Sequence, residues 1–350
     1  MNWKISYHEL HAALLRRVFR HPSTYAALCE RRWTIAPAES RIEPRAVYLG
    51  DELERVRGVQ EDTNMEAEIR RVEGGPREHA ATIGYRLTDV RLTSGHLVKG
   101  AMSHAISQSS GHVAAAEQVE LSTAAVGSTL MGSIYFGHWM RDDATLRLAV
   151  QDLAPTIDIE HQPYSHAAGY RELLSLPERV VAKGRFRELI LLDDWGQNAY
   201  KRRRYQALRS TFRRSIAGAG NERIYLKRGA ANGVRGRNLL NAPDVEAALV
   251  AQGFSVVDPD TMAADQIARL ATDAKIIVGV EGSHLAHAIY PIADGGTLVV
   301  LQPPMRFNNV YKDLSDAVGL RYAFTVGDPG DGGFSIDVNR LNRLLDRLAA

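Results

Sequence analysis

IIVGVEGSHLAHAIY, residues Ile276–Tyr290, is the stretch whose reading decides the fold. Five apolar or small residues stop at Gly279-Val280-Glu281-Gly282-Ser283, and a segment with a helical apolar face follows. The pattern is strand, tight glycine turn, helix start. In an α/β protein such a turn lies at the carboxyl edge of the sheet, where ligands bind. The unpaired N–H groups at a helix start also favour an anion such as phosphate.

Outward from this stretch the alternation is regular. Strands are expected at 223–226, 254–257, 276–280 and 297–301, with helices at 243–251, 263–272 and 284–290, and a last helix from Val338 to Leu348. Strand–helix alternation implies a parallel sheet with helices on its faces. Upstream the signals are weaker. Residues 4–20 read as an amphipathic helix ended by His21-Pro22, 30–45 as a connector, 46–50 as a short strand and 51–80 as polar surface. Strand signals recur at 86–90, 119–121, 133–136 and 188–192. Ser133–Phe136 is read as a strand leading into Gly137–Asp143, and Asn198–Ile216 as a long basic helix.

Composition bounds the function. The chain has 350 residues, 45% hydrophobic, and a net charge of +2, which suits a large core and about two domains and disfavours a general polyanion binder. Cys29 is the single cysteine, so neither an intramolecular disulfide nor a cysteine-built zinc site can form. No run approaches the ~20 apolar residues of a membrane span, and the first residues lack a signal-peptide pattern. A cytoplasmic location is expected. The basic run Lys201-Arg202-Arg203-Arg204 reads first as a solvated helix face, with contact to anionic lipid or an anionic acceptor as the alternative. Asp258-Pro259-Asp260 and Asp193-Asp194 have metal-ligand form but also suit turns after strands, and no metal site is expected.

Several segments together resemble one family. Ile224-Tyr225-Leu226-Lys227-Arg228, Arg237-Asn238-Leu239-Leu240-Asn241, Gly253-Phe254-Ser255-Val256-Val257, Gln266 and Gly279–Leu285 follow the order and spacing of glycosyltransferase family 61 over about residues 222–325. His138-Trp139-Met140-Arg141-Asp142 is similar to its His-x-x-x-Asp segment. Glu281 stands where members often carry His, which makes the chain resemble a bacterial, capsular-polysaccharide-type branch.

The resemblance implies a GT-B-like fold: two Rossmann-like lobes with parallel sheets and an interdomain cleft. The expected division is a helical extension over 1–45, an acceptor-binding lobe over 46–205 and a nucleotide-sugar-binding lobe over 206–350. The implied reaction is metal-independent, inverting transfer from a nucleotide-diphosphate sugar, the co-substrate, to a glycan or lipid-linked glycan acceptor. No cofactor and no nucleic-acid partner are implied.

A guanidinium can grip two phosphate oxygens at once, so Arg228 and Arg237 are candidate donor ligands. Gly282 and Ser283 would offer backbone N–H groups, and Glu281 and His284 are further candidates there. Asp142 is the candidate general base; His138, four residues earlier, would share its helix face and is the alternative base. His287 reads as a packed residue and Asn241 as a helix cap. The competing readings are a polysaccharide pyruvyltransferase-like enzyme using phosphoenolpyruvate and a non-catalytic Rossmann-like binding protein. A dehydrogenase is disfavoured, because no Gly-x-Gly-x-x-Gly turn follows a strand.

Overall fold

The computed structural model describes residues 24–108, 117–218, 220–229 and 237–349. The expected helix over 4–20, and Arg235, a further basic residue between Arg228 and Arg237 in the sequence, lie outside the described residues. The chain forms two compact units. One comprises residues up to Glu39, His79–Glu172 and Leu176–Arg204. The other comprises Ser40–Glu78, Leu173–Ser175 and Tyr205 onward.

The first unit is built on a seven-stranded sheet: β1 (Arg31–Ala36), β2 (Thr82–Thr93), β3 (His96–Lys99), β4 (Met102–Ala105), β5 (Glu117–Val126), β6 (Thr156–Ile159) and β7 (Val180–Asp193). Strands β4-β3-β2-β7-β5-β6 lie in that order, with β1 also on β2. The pairs on either side of β2 are antiparallel, whereas β5, β6 and β7 pair in parallel. This sheet is therefore mixed, and the expectation of two fully parallel lobes is corrected here. The cause is local: Ser94-Gly95 and Gly100 take positive φ, which turns β2, β3 and β4 back as hairpins with no room for crossover helices. One sheet face buries Leu87, Leu97, Met102, Ile157, Val181, Phe186 and Leu189.

The second unit carries a five-stranded parallel sheet: β8 (Arg223–Leu226), β9 (Ser255–Val257), β10 (Ile276–Val280), β11 (Thr297–Gln302) and β12 (Arg321–Val326). The order is β9-β8-β10-β11-β12. The chain leaves β8 toward β9, then crosses to β10 on the other side. The two directions diverge between β8 and β10, the switch point where open α/β sheets bind ligands beyond their carboxyl ends. Tyr225, Leu249, Val278, Val299, Phe334 and Leu344 are among the core residues.

Residues 40–78, which span the end of the expected connector, the short strand at 46–50 and most of the polar stretch 51–80, and which from 46 were expected in the first lobe, belong to the second unit. Two buried carboxylates explain this. Glu52 accepts from Thr325 Oγ1 at 2.9 Å and Val326 N at 2.6 Å. Glu68 accepts from Asn309 N at 2.7 Å and Nδ2 at 3.0 Å. The supposed strand at 46–50 is a single bridge, Val47 to Ala323.

Candidate functional site

Two clusters carry the candidate residues, one in each unit. In the first unit, β5 ends at Val126 and the chain turns at Thr129. That residue caps a short helix, Leu130–Ile134, by accepting from Gly132 N at 2.9 Å. The strand expected at Ser133–Phe136 is thus helical: the cap satisfies an otherwise unpaired N–H and Tyr135 closes the turn. Asp143 accepts from Thr129 N and Oγ1 at 2.9 and 2.7 Å, which ties the loop down. Burial first, with Asp142 and Asp158 nearby, holds the Asp143 carboxyl well above its usual range. Trp139–Asp143 then forms a π turn, a geometry frequent at functional sites.

The π turn brings His138 and Asp142 together. His138 Nδ1 lies 2.8 Å from Asp142 Oδ2. Arg141 Nη2 is 2.8 Å from the same oxygen, and Lys201 Nζ is 3.0 Å from Oδ1. The Asp142 side chain is 4% exposed and that of His138 29%. Burial would raise the Asp142 pKa, but the Arg141 and Lys201 charges and the hydrogen bonds from His138 and Arg141 outweigh it and hold the carboxyl well below its usual range. A carboxylate so stabilised is a weak proton acceptor. Arg141 Nη2 also lies 3.0 Å from His138 Nδ1, but two acceptors do not sit 2.8 Å apart. Nδ1 therefore carries a proton toward Asp142 and Arg141 donates to the carboxylate, and in the neutral ring Nε2 is then the acceptor.

Lys201 shows that the basic run is not a solvated face. It is 1% exposed and also reaches the Asp194 carbonyl at 2.8 Å. Arg204 clasps the Asp194 carboxylate with contacts of 2.7 and 2.8 Å. Arg209, fully buried, bonds the carbonyls of Ile289 and Ile292 and the Asp294 carboxylate. The cations of this helix are largely spent inside the protein. Asp193 accepts from the Tyr25 and Tyr85 hydroxyls, so this acidic pair is likewise engaged. Asp258 Oδ1 accepts from Asp260 N at 3.0 Å, a turn geometry.

In the second unit, Arg228 and the Glu281–Ser283 turn follow β8 and β10, beside the switch point. Gly282 has φ +147°, and a Cβ there would overlap Arg228 Nη1, so glycine is what lets the guanidinium cross the turn. Arg228 Nη1 donates to the Glu281 carbonyl at 2.9 Å. Glu281 points inward: its carboxylate lies 3.4 Å from Arg237 Nη1 and 3.7 Å from Arg306 Nε, and Asn308 Nδ2 donates at 3.2 Å. Burial raises the Glu281 pKa against the pull of these arginines. Burial, then repulsion from Arg237, lowers that of Arg228.

Three guanidinium groups thus face one carboxylate. The N–H groups of Gly282, Ser283 and His284 make no hydrogen bond among the described residues. Both His284 ring nitrogens are buried without a hydrogen-bond partner among the described residues, and burial followed by Arg228 holds the ring well below its usual pKa. Excess positive charge and free N–H donors at a sheet's carboxyl edge suit a phosphate-bearing ligand.

Other expectations resolve individually. Asn241 occupies the N-cap position without a side-chain cap; its amide instead exchanges hydrogen bonds with Ile336 N and O at 3.0 and 2.9 Å. Gln266 caps its own helix by accepting from Ala263 N at 2.9 Å. The helix expected at 284–290 is a 3-10 helix, Ser283–Ala288, and His287 is buried. Sequence reasoning missed Lys201, Arg141, Arg306 and Asn308. Lys201 was findable: Tyr205, Leu208 and Phe212 form a buried stripe whose helical spacing runs back to it.

No curated protein matches this chain. The family model described as Glycosyltransferase 61 matches residues 136–300, a span that includes His138, Asp142, Arg228, Arg237, Glu281, Gly282, Ser283 and His284. Over residues 136–300 the chain is similar to glycosyltransferase family 61.

Proposed function

We propose that the protein transfers a sugar from a nucleotide-diphosphate sugar to a glycan or lipid-linked glycan acceptor, with inversion, in a GT-B-like plan. The observation that carries this reading is the cluster at the switch point of the second unit: Arg228, Arg237 and Arg306 around Glu281, beside the free N–H groups of Gly282, Ser283 and His284. In the proposed reaction the acceptor hydroxyl gives its proton to His138 Nε2 while its oxygen bonds to the anomeric carbon. The bond from that carbon to the diphosphate oxygen breaks, and the diphosphate leaves with the electron pair. Attack opposite the leaving group inverts the centre. The arginines, rather than a metal ion, take up the diphosphate charge.

Asp142, expected from the sequence as the base, is assigned here to hold His138 in the productive tautomer, because three cationic or donor groups already consume its lone pairs. The family and the Glu281 variant of the turn favour bacterial surface-polysaccharide assembly, at the cytoplasmic side of the membrane. No helix among the described residues is long and apolar enough to cross one.

The test is a thermal-shift panel of UDP, GDP, ADP, TDP, CMP, phosphoenolpyruvate and NAD, with and without EDTA, on the wild type and Arg228→Ala. A ligand at 100 times its Kd adds about 2.7 kcal/mol, or about 5–11 °C for a unit of this size. One nucleoside diphosphate should shift the wild type in EDTA and leave Arg228→Ala unmoved. A shift by phosphoenolpyruvate alone, or an equal shift in the variant, would overturn the reading.

A further inference from the structure

Two large aromatic side chains of the first unit are about half exposed. Tyr135 is 49% exposed and Trp195 54%. Neither the Tyr135 hydroxyl nor the Trp195 indole N–H makes a hydrogen bond among the described residues. Their neighbours show how unusual this is. Phe136 stacks on Trp139 with centroids 6.0 Å apart and meets Tyr164 and Tyr170 at 5.7 and 6.1 Å. Arg171 lies 5.1 Å over Trp139, and His161 stacks on Tyr164. This aromatic bed fixes the turn that carries His138 and leaves Tyr135 facing outward.

Topology places the Tyr135 ring beside His138 and puts Trp195 on a loop tied to the same pair. Strands β5 and β7 run in parallel, with Ala125 opposite Ile190, so the loops leaving them emerge from one sheet edge. The β5 loop leads to Tyr135, whose ring centroid is 5.9 Å from that of His138. The β7 loop leads to Trp195, one peptide bond beyond the Asp194 carbonyl that holds Lys201 at 2.8 Å; Lys201 in turn holds Asp142 at 3.0 Å. Large flat apolar rings with a free polar tip, exposed against the hydrophobic effect, suit a ligand that is itself amphipathic. A pyranose ring is such a ligand: one face presents C–H groups and the rim presents hydroxyls.

We infer that Tyr135 and Trp195 are stacking platforms for pyranose rings of the acceptor, which they hold with a hydroxyl toward His138 Nε2. This deepens the proposed function and rests on it for the role of His138.

The experiment places the labelled full chain on an array of immobilised α- and β-linked pyranose oligosaccharides, in parallel with the nucleotide thermal-shift panel. The wild type should be retained by a subset of glycans. Tyr135→Ala and Trp195→Ala should each weaken retention about tenfold or more, whereas Tyr135→Phe and Trp195→Phe should keep most of it, since the ring supplies the contact. All four variants should show the wild-type nucleotide shift. Alanine variants retained as well as the wild type would overturn the inference. So would a wild type that shifts with nucleotide yet holds no glycan, or retention that 0.5 M salt abolishes while ring removal does not. Glycan retention without any nucleotide shift would strike the donor reading and leave the platforms standing.

Discussion

Asp142→Asn separates an orienting carboxylate from a base. Asp142 Oδ1 faces Lys201 Nζ at 3.0 Å, and an ammonium can only donate. The asparagine must keep its oxygen there, so its NH2 takes the place of Oδ2, 2.8 Å from His138 Nδ1. Nδ1 then becomes an acceptor, the proton moves to Nε2, and the ring can no longer take a proton from the acceptor hydroxyl. Loss of general-base catalysis lowers the rate roughly 10²–10⁴-fold, about 3–5 kcal/mol of transition-state stabilisation. The amide also confronts Arg141 Nη2, formerly 2.8 Å from the carboxylate. Breaking a buried pair costs about 3–5 kcal/mol, and less here because Lys201 keeps the Asp194 carbonyl. The assay is initial-rate transfer with the donor found by the panel, run well below the variant's melting temperature, together with donor affinity. Asp142→Asn and His138→Ala should each lose two to four decades while donor affinity holds, and the double variant should lose little more, because the pair acts as a unit. Transfer by Asp142→Asn within threefold of wild type would refute the tautomer argument, as would losses that multiply in the double variant.

Three further outcomes are expected. Gly282→Ala puts a methyl group where Arg228 Nη1 lies, so nucleoside-diphosphate affinity by calorimetry should fall at least tenfold; unchanged affinity would remove this turn from the donor site. Asp316 is buried beside Lys312, and burial raises its pKa to about 6. A raised carboxyl pKa favours the fold below the unfolded value and loses that contribution as pH rises through the folded one, so the wild type should lose stability relative to Asp316→Asn as pH rises from about 4 through about 6. A difference in melting temperature between the two chains that does not change with pH would count against it. Glu52→Ala leaves Val326 N and Thr325 Oγ1 without their acceptor and breaks part of a buried pair with Arg340. It should cost about 3 kcal/mol and lower the melting temperature by roughly 6–12 °C; a change under 2 °C would show that residues 40–78 are not anchored this way.

Four of the five strands of the second unit's parallel sheet were legible; the edge strand Arg321–Val326, the helix Val310–Val318 and the place of residues 40–78 were not. The sheet's central strands, Ile276–Val280 and Thr297–Gln302, are largely buried and read as apolar runs rich in β-branched residues, so local pattern and tertiary role agree. The expected strand at 276–280 is the observed one. The first unit was harder. Its strands mix one buried face with one solvated face, and the turn Thr129–Asp143 carries Ser-Ile-Tyr-Phe, a strand-like string that a threonine cap and the Asp143 anchor convert to helix.

The sequence by itself pointed to the second unit's parallel sheet and to the resemblance over residues 136–300, and it nominated eight candidate residues, because strand periodicity, glycine turns and the spacing of Arg, His and Asp are local properties. Tertiary structure alone decided what each charge does. It turned Glu281 onto Arg237 and Arg306, buried Lys201 against Asp142, and so moved the proposed base from Asp142 to His138. These partners lie tens of residues apart in the chain. A side chain's protonation depends on which distant charges share its low-dielectric surroundings, and residue order does not encode that distance.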